Sequence, residues 1–447
     1  MFSTIKNAFK IPDLRRKIYF TLFLLIVFRF GAHIPVPGLD PEAMKAFLGN
    51  GLDLFSMFNV FTGGAFSNAT VMALGVSPYI NASIIVQLLT VAIPALERLA
   101  KEGAEGRKKI NKITRYLGIV LAFVQGAGLY VTLHNMGVDP NYGGLKPIAN
   151  ESLLSFFIIV LTFVAGTAFI MWLGELITEK GLGNGISMII YAGIVSSIPG
   201  GIVSIYNNYF AGVGFNVKGV IISAAILIVS ILAITLVVLF NTAERKIPVQ
   251  YAKRVVGRKM YGGQSTNIPI KVVSGGVMPI IFASSIMAFP ATIVRLVTGG
   301  QIPETGIWNT ILGCLSAGLS DKAWTYVVYA ALYFLLIIFF TYFYSSIQFN
   351  PIELANNMKK SGGYIPGYRP GKPTSDFISK VSTRLNFAGA LFLGVIAVLP
   401  IVAGAAFGIQ GLQIGGTSLL IMEGVALETV QQLESQMVMR HYKGFLE

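Results

Sequence analysis

Few residues of this chain have the type and spacing that enzyme chemistry requires. The segment GYRPGKPT, which begins at Gly367, resembles a phosphate-binding loop only in its Gly-Lys pair. Its two glycines are one residue too close together, and Pro373 stands where such a loop has the hydroxyl residue that holds magnesium. The segment GLGNGIS, which begins at Gly181, lacks the third-glycine spacing of a dinucleotide fingerprint. Both segments therefore predict turns and not nucleotide sites.

The residues that bind metals or act as nucleophiles are equally sparse. The three histidines lie far apart in the sequence and show no metal-ligand spacing: His33, His134 and His441. The single cysteine, Cys314, excludes an intrachain disulfide. No Ser-His-Asp combination is evident. We therefore expect no catalytic residue, no metal and no cofactor, and we predict that the chain is not an enzyme.

The chain must face something other than water over most of its surface. Of its 447 residues, 54% are hydrophobic and only 12% are charged, about half of the ~25% that a soluble domain carries. Apolar runs long enough to cross ~30 Å of hydrocarbon recur along the whole length. They predict ten membrane spans, near residues 18–37, 73–93, 116–134, 153–174, 184–205, 218–240, 273–295, 324–348, 385–404 and 412–431. A signal peptide is a poor alternative for the first run, because Arg29 interrupts it and no small-residue cleavage site follows.

The basic residues predict how these spans are oriented. With ten spans, 28 of the 34 Lys and Arg residues fall on one side and five on the other, while Arg29 lies inside the first span. The positive-inside rule then places both termini in the cytoplasm.

Two long connections on the basic side, about 242–272 and 350–384, exceed what topology alone requires. They present eight basic residues near their tips: Lys253, Arg254, Arg258, Lys259, Lys359, Lys360, Arg369 and Lys372. Orientation and solvation alone would explain such charges. Protruding basic loops also suit an RNA phosphate backbone or an acidic protein partner, and we favour that docking role.

A short sequence repeats between the two halves of the chain. GVSPYINAS from Gly75 and GVMPIIFAS from Gly276 are identical at six of nine positions at an offset of 201 residues. We call this repeat the echo. With ten spans its two segments run in opposite directions, so the echo favours two halves related by an inverted repeat. Chance similarity between common membrane residues is the alternative.

Eight motifs identify the chain as similar to the SecY family, the central subunits of the bacterial protein-conducting channel, over essentially its whole length. The motifs are RFGAHIPVPG from Arg29, GVSPYINASIIVQLLT from Gly75, GRKKINKITRY from Gly106, GLGNGISMII from Gly181, QYAKRVVGR from Gln250, GGVMPIIFASSI from Gly275, GGYIPGYRPGKPT from Gly362 and GGTSLLI from Gly415.

The resemblance implies an all-α polytopic membrane protein whose ten helices form two inverted five-helix halves around an hourglass pore. We expect an N-terminal half at 1–205, a C-terminal half at 206–434 and a cytoplasmic tail at 435–447. The resemblance also implies a narrow apolar pore ring: Val76, Ile80, Ile186, Ile190, Ile281 and Ile421. Spacing agrees, because residues four apart, such as 76/80 and 186/190, share one helical face.

The resemblance further implies a plug, a short re-entrant half-helix in the external funnel, at about 55–74; we name these residues the plug segment. The segment is too polar to span a membrane, and its glycine pair allows the chain to turn back. Its characteristic residues are Gly63, Gly64, Ser67, Asn68 and Thr70. Irregular backbone at membrane depth is tolerated where it lines protein or water. An ordinary external loop is the alternative.

Spans two and seven, flanked by three and eight, would form a lateral gate toward lipid. Polar residues make this helix pair wettable or supply contacts across it: Ser83, Thr90, Gln125, Ser284 and Ser285. Glu423 departs from the apolar residue that the resemblance implies. It lies two residues after Ile421, about 200° around the helix, so we expect it to face away from the pore.

The resemblance implies a channel that passes unfolded secretory polypeptides across the bacterial plasma membrane and releases hydrophobic segments into lipid. The implied partners are the small membrane subunits SecE and SecG, the motor ATPase SecA, a translating ribosome, unfolded preproteins with their signal peptides, and anionic lipids. Two other readings stay open. A secondary transporter would need several polar or ionisable groups at the midplane, whereas Glu423 is the one clear acid there. A passive scaffold that recruits ribosomes would need no apolar ring.

Overall fold

The structure, a computed structural model, describes most of the chain. The described residues are 2–49, 59–136, 146–148, 150–209, 217–251, 254–256, 259–261, 265–273, 275–297, 307–315, 323–407 and 412–443.

Ten helices of 16 to 36 residues in this part of the chain correspond one to one to the ten predicted spans. In chain order they are α2 (Pro12–Gly31), α4 (Ser77–Ala92), α6 (Ala104–Met136), α7 (Leu153–Lys180), α8 (Gly185–Tyr209), α9 (Val217–Thr242), α10 (Met278–Val297), α12 (Ala323–Gln348), α14 (Lys372–Phe407) and α15 (Leu412–Lys443). Five shorter helices lie between them: α1 (Phe2–Lys10), α3 (Pro41–Gly49), α5 (Pro94–Lys101), α11 (Ile307–Leu315) and α13 (Pro351–Lys360).

Five of the described helices are long and apolar enough to cross a membrane by themselves, or six when α4 and α5 count as one span bent by 101°. Charged residues exclude α2 from this count, and charged and polar residues exclude α15. In α9 and α10 the described apolar stretch is shorter, Leu227–Thr242 and Met278–Val294. Large apolar side chains are exposed both on helices that pass this test and on helices that do not, as at Leu335 of α12 and Phe23 of α2. Such side chains suit contact with lipid, and the chain is a multi-pass membrane protein.

Contacts between distant connections bring the basic segments to one end of the helices, the basic end. Leu14 near the N-terminus packs in one apolar cluster with Leu182 and Leu433. Strand β1, in the connection after α9, pairs with strand β5, in the connection after α13. At the opposite end, isolated bridges join Pro35 to Thr70 and Leu39 to Ile148. This arrangement agrees with the predicted separation of charged connections.

The two long basic connections contain strands that the sequence analysis did not predict. Strands β1 (Glu244–Tyr251) and β4 (Ser265–Lys271) pair antiparallel, and β5 (Gly363–Tyr364) extends this sheet on the other edge of β1. A smaller hairpin joins β2 (Arg254–Val256) to β3 (Lys259–Tyr261). In β1, Ile247 and Val249 are buried while their neighbours are exposed, a two-residue alternation typical of a half-buried strand.

The main hydrophobic cluster lies where the two halves of the chain meet. It contains residues from both echoed segments, such as Ile80 in α4 and Ile281 in α10, together with Ile190 in α8 and Ile421 in α15. The echo extends to the backbone, because Gly75 and Gly276 precede α4 and α10 with φ angles of +57° and +56°. This central cluster holds the candidate site.

Candidate functional site

Four helices and the plug segment enclose one small cavity at the centre of the protein. Five residues of the predicted pore ring line it, and we call these five the aliphatic ring: Val76, Ile80, Ile190, Ile281 and Ile421. Each of the five is at most 9% exposed. The structure therefore brings together side chains that lie up to 345 positions apart in the sequence, between residues 76 and 421.

Helix geometry explains how these side chains reach the cavity. Pro78 stands in the first turn of α4, where the missing N–H leaves no hydrogen bond unmade. The amide of Ile80 donates to the Val76 carbonyl at 3.0 Å, so both side chains lie on one face. In α10 the amide of Ile281 makes the equivalent bond to Val277, at 3.2 Å. The two echoed helices thus present one isoleucine each at matching positions.

Ile186 is placed differently from the rest of the predicted ring. It is not among the described residues that line the cavity, and its side chain lies against Gly174 of α7. Gly174 has no Cβ atom, and the side chain of Ile186 occupies the space beside it. Spacing correctly put 186 and 190 on one face of α8, but it could not predict that a neighbouring helix would cover the first of them.

The cavity is too small to hold a polypeptide. Its volume is about 30 Å³, room for about two water molecules. Five of its lining residues are aliphatic side chains of the predicted ring, and an apolar constriction of this kind excludes water and ions by dewetting. We call this arrangement, in which the cavity cannot hold a polypeptide, the closed arrangement.

Further residues that sequence reasoning did not assign to the ring extend the cavity along α10. They follow Ile281 at helical spacing, on the same face: Ser285, Ala288, Phe289 and Thr292. This i, i+4, i+7, i+8, i+11 pattern is visible in the sequence and could have identified them. Together with Ser77 and Asn81 of α4 they give the cavity a partly polar margin.

The described part of the plug segment turns back toward this cavity. Residues 59–61 form one helical turn, and residues 62–76 are turns or irregular, so this part contains less helix than the predicted half-helix. Residues 55–58 lie outside the described residues. Gly63 and Gly64 have φ angles of +64° and +86°, values that suit glycine because it has no Cβ atom. The reversal brings Phe61 and Thr62 to the cavity wall.

Polar side chains of the plug segment satisfy its own irregular backbone. The hydroxyl of Ser67 donates to the Gly64 carbonyl at 2.9 Å, and that of Thr70 donates to the Ala65 carbonyl at 2.9 Å. The side-chain oxygen of Asn59 accepts from the Ser67 amide at 2.9 Å. The amide of Asn68 donates to the Gly64 carbonyl at 3.3 Å. This explains why a segment at membrane depth is so polar, since its backbone groups would otherwise be unpaired.

The helices of the predicted lateral gate are neighbours. Helix α10 contacts α4, α6 and α12, as the assignment of spans two, seven, three and eight requires. Their polar residues bond locally: Thr90 donates to the Val86 carbonyl, Ser284 to the Ile281 carbonyl, and Gln87 to the Ser83 hydroxyl. Ser285 lines the cavity, and Gln125 is half-buried in α6. Among the described residues, no hydrogen bond joins two of these polar groups across the seam between α4 and α10.

The basic residues predicted to dock partners lie at helix ends, in a turn and in short strands where they are described. The side chains of Lys359, Lys360, Arg369 and Lys372 are exposed around β5. Arg254 and Lys259 stand at the start of β2 and β3. Lys253 and Arg258 lie outside the described residues.

Glu423 lies on the side of α15 that faces α9, as its angle from Ile421 predicted. It is 6% exposed, and its Oε2 accepts a 2.9 Å hydrogen bond from the side-chain amide of Asn241. Its Oε1 is buried without a hydrogen-bond partner. Glu423 therefore joins two helices and does not line the cavity. No group of three or more His, Cys, Asp or Glu in the described ranges is arranged to hold a metal ion.

A model of the SecY family matches residues 70–430 of the chain. The chain is 46% identical over 450 residues to the protein translocase subunit SecY of Halalkalibacterium halodurans, and 45% identical over 456 residues to that of Mycobacterium tuberculosis. Both alignments cover 100% of each protein.

Solved channel structures have the same fold. A structure described as that of a protein conducting channel aligns with a TM-score of 0.67 at 20% identity, over 94% of this chain and 92% of that chain. Sec61 in the canine ribosome–channel complex from the endoplasmic reticulum aligns with a TM-score of 0.64 at 20% identity, with the same coverage.

Proposed function

The chain belongs to the SecY family, and from this premise we propose that unfolded secretory polypeptides cross the membrane through the cavity that the aliphatic ring encloses. It is a channel subunit of a protein translocase and not an enzyme. One observation carries the proposed route: five aliphatic side chains from α4, its N-cap residue Val76, α8, α10 and α15 meet around one small cavity.

The aliphatic ring suits both of the tasks that such a channel performs. At rest, its side chains pack into the central hydrophobic cluster, and an apolar constriction of this kind would exclude water and ions. During transport, aliphatic side chains offer no fixed polar site on which a passing chain would be retained. The plug segment, which closes one wall of the cavity through Phe61 and Thr62, must move aside before a chain can pass.

Sideways release would use the seam between α4 and α10. These helices contact each other and line the cavity on both sides of it. A segment that samples the open seam partitions by transfer free energy. Each central Leu or Ile favours lipid by about 0.3–0.6 kcal/mol, and one central Arg or Asp opposes insertion by about 2.5–3.5 kcal/mol. The polar residues Ser83, Thr90, Gln125, Ser284 and Ser285 would hydrate the open seam.

We place the protein in the bacterial plasma membrane, with the basic end and both termini in the cytoplasm. Residues 1–205 and 206–434 form the two halves, and 435–447 form the tail. The matching φ angles of Gly75 and Gly276 support an inverted relationship between the halves.

The proposed partners follow from membership of the SecY family and from the charges of the basic end. SecE and SecG would cover part of the exposed apolar helix surface, and anionic lipids would surround it. The exposed basic side chains around β5, including Lys359 and Arg369, would dock SecA or ribosomal RNA, because a phosphate backbone binds clustered cations. These partners supply the driving force.

A stalled secretory chain tests the route. A photocrosslinking amino acid at Ile281 should form an adduct with a preprotein arrested in transit. The same substitution at Ile293, also in α10 but 44% exposed on its outer side, should label lipid instead. Equal labelling of the arrested chain from both positions would contradict a route through the ring. A small solute that protects Ile281 would favour a secondary transporter, and no adduct at either position would favour a scaffold.

A further inference from the structure

One arginine of α2 is bonded to the turn of the plug segment at residues 61–64, which we call its tip. The guanidinium of Arg29 donates a hydrogen bond from Nη1 to the carbonyl of Gly63. Arg29 lies in the last turn of α2, within the first predicted span. A cation at membrane depth is costly and persists where it has a specific partner. Here the partner is a backbone carbonyl at the turn that directs the plug segment toward the ring cavity.

Helix α8 closes the other side of the same turn. A Cβ atom built on Gly63 would lie 2.8 Å from Nη1 of Arg29 and 3.0 Å from the Cα atom of Gly193 in α8. It would also overlap the hydroxyl of Ser196, which itself donates to the Gly193 carbonyl at 2.7 Å. The tip of the plug segment is therefore clamped between a side chain of α2 and the backbone of α8.

The end of the plug segment is attached in a different way. The amide of Val36 donates to the Ala69 carbonyl at 2.8 Å, and the amide of Val71 donates to the Ile34 carbonyl at 3.0 Å. These two backbone bonds tether residues 69–71 to the chain that leaves α2. The tip, in contrast, is bonded to α2 through the long side chain of Arg29, which can release it while the tether stays intact.

We propose that Arg29 is a latch that holds the tip of the plug segment in the closed channel, and that breaking its hydrogen bond to Gly63 is a step of channel opening. Arg29 is a positioning residue, because it acts through the plug segment and does not touch the passing chain. The inference rests on the proposed function, since it assigns the closed position of the plug segment to one named interaction. When the latch opens, residues 59–64 move away from the ring cavity and the tether at 69–71 acts as the hinge.

Thiol accessibility at the plug tip measures the latch without any transport. Thr62 is 3% exposed and lines the cavity, so a cysteine there should react slowly with a bulky, charged maleimide while the plug is closed. All chains carry Thr62→Cys and Cys314→Ser and stay in native membranes, opened by freezing and thawing so that the reagent reaches both faces. Arg29→Met should raise the labelling rate about 10-fold to 100-fold, the shift that loss of one charge-assisted hydrogen bond produces. Arg29→Lys, which keeps a cationic donor, should restore part of the protection.

Two further variants keep the test decisive. Arg115→Met removes a different arginine, which is paired with Glu175 at 3.0 Å between α6 and α7, and should leave the labelling rate unchanged. Gly63→Ala disturbs the latch from the plug side, by crowding Nη1 of Arg29, and should raise the rate even if Arg29→Met accumulates poorly. A rate within twofold of the parent in an Arg29→Met variant that accumulates normally would overturn the latch. If Arg29→Met accumulates poorly, a rate within twofold of the parent in Gly63→Ala would overturn it. Because the assay involves no preprotein, that result would leave the proposed route intact, whereas a failed crosslink at Ile281 would leave the latch intact.

Discussion

Gly193 of α8 lies directly against the carbonyl of Phe61, with no room for a methyl group between them. A Cβ atom on Gly193 would also lie 3.3 Å from the amide nitrogen of Gly63. Helix α8 therefore contributes Ile190 to the aliphatic ring and, one turn later, a glycine that admits the plug backbone. The closed position of the plug segment depends on this close approach.

Gly193→Ala should displace the plug segment and make the resting channel leak. Overpacking a close contact costs about 1–3 kcal/mol, which shifts a closed–open equilibrium by about 5-fold to 150-fold. Ion conductance of the resting channel in planar bilayers measures this change. Gly201→Ala is the matched control, because it lies in the same helix with open space around it. Equal conductance in the two variants would refute the contact.

Asn241→Leu should destabilise the protein more than the double variant Asn241→Leu/Glu423→Leu. The single change leaves both oxygens of a buried carboxyl group without a donor, a loss of about 1–3 kcal/mol, whereas an apolar pair removes the polar group altogether. Thermal unfolding in detergent compares the two. A double variant that unfolds at the same temperature as Asn241→Leu, or lower, would show that Glu423 is not held by this hydrogen bond.

Arg369→Glu should impair preprotein translocation while leaving the amount of the channel in the membrane unchanged. Arg369 is exposed in the turn after β5, and its carbonyl accepts a 2.8 Å hydrogen bond from Thr374, so its side chain is free to project from an ordered turn. Import into vesicles measures the effect, which should be tenfold or more by the cost of a reversed charge in a docking site. Lys45→Glu, at the opposite end of the protein, should import normally. Normal import by Arg369→Glu would remove this residue from the docking surface.

The positions of the helices could be predicted from the sequence because lipid imposes a simple requirement. A span needs a long apolar run, and the basic residues fix its direction. The ends were less predictable. Helix α6 begins at Ala104 and α15 continues to Lys443, beyond the apolar runs, because polar residues such as those of GRKKINKITRY also favour helix.

The site was predicted where one helix face decides the contact, and missed where several elements decide it. Ile80 and Ile281 were implied by the resemblance to the SecY family, and the echo places them at equivalent positions of the two halves. Ile186 shares the face of Ile190, but packing against Gly174 removes it from the ring cavity, and spacing within α8 contains no information on α7. The bond from Arg29 to Gly63 joins residues 34 positions apart through irregular backbone, where no periodicity exists to be read.

The strands of the basic end were missed for a related reason. The alternation in β1 covers only a few residues, and Pro248 lies within it. Proline predicts an edge strand or a loop, yet here β1 is the central strand of a three-stranded sheet. Its partner β4 has Pro269 opposite Lys246. Both prolines are exposed, so the small sheet accommodates them where it is open to solvent.

Resting conductance of a channel with a polar ring tests the central claim most directly. Ile190→Asn/Ile281→Asn places two amides in the ring cavity and should hydrate it, so the closed channel should pass small ions well above the parent level. Ile190→Leu/Ile281→Leu keeps the ring apolar at equal volume and should stay sealed. If the folded Asn variant, present at parental levels, were as impermeable as the Leu variant, the aliphatic ring would not be the seal.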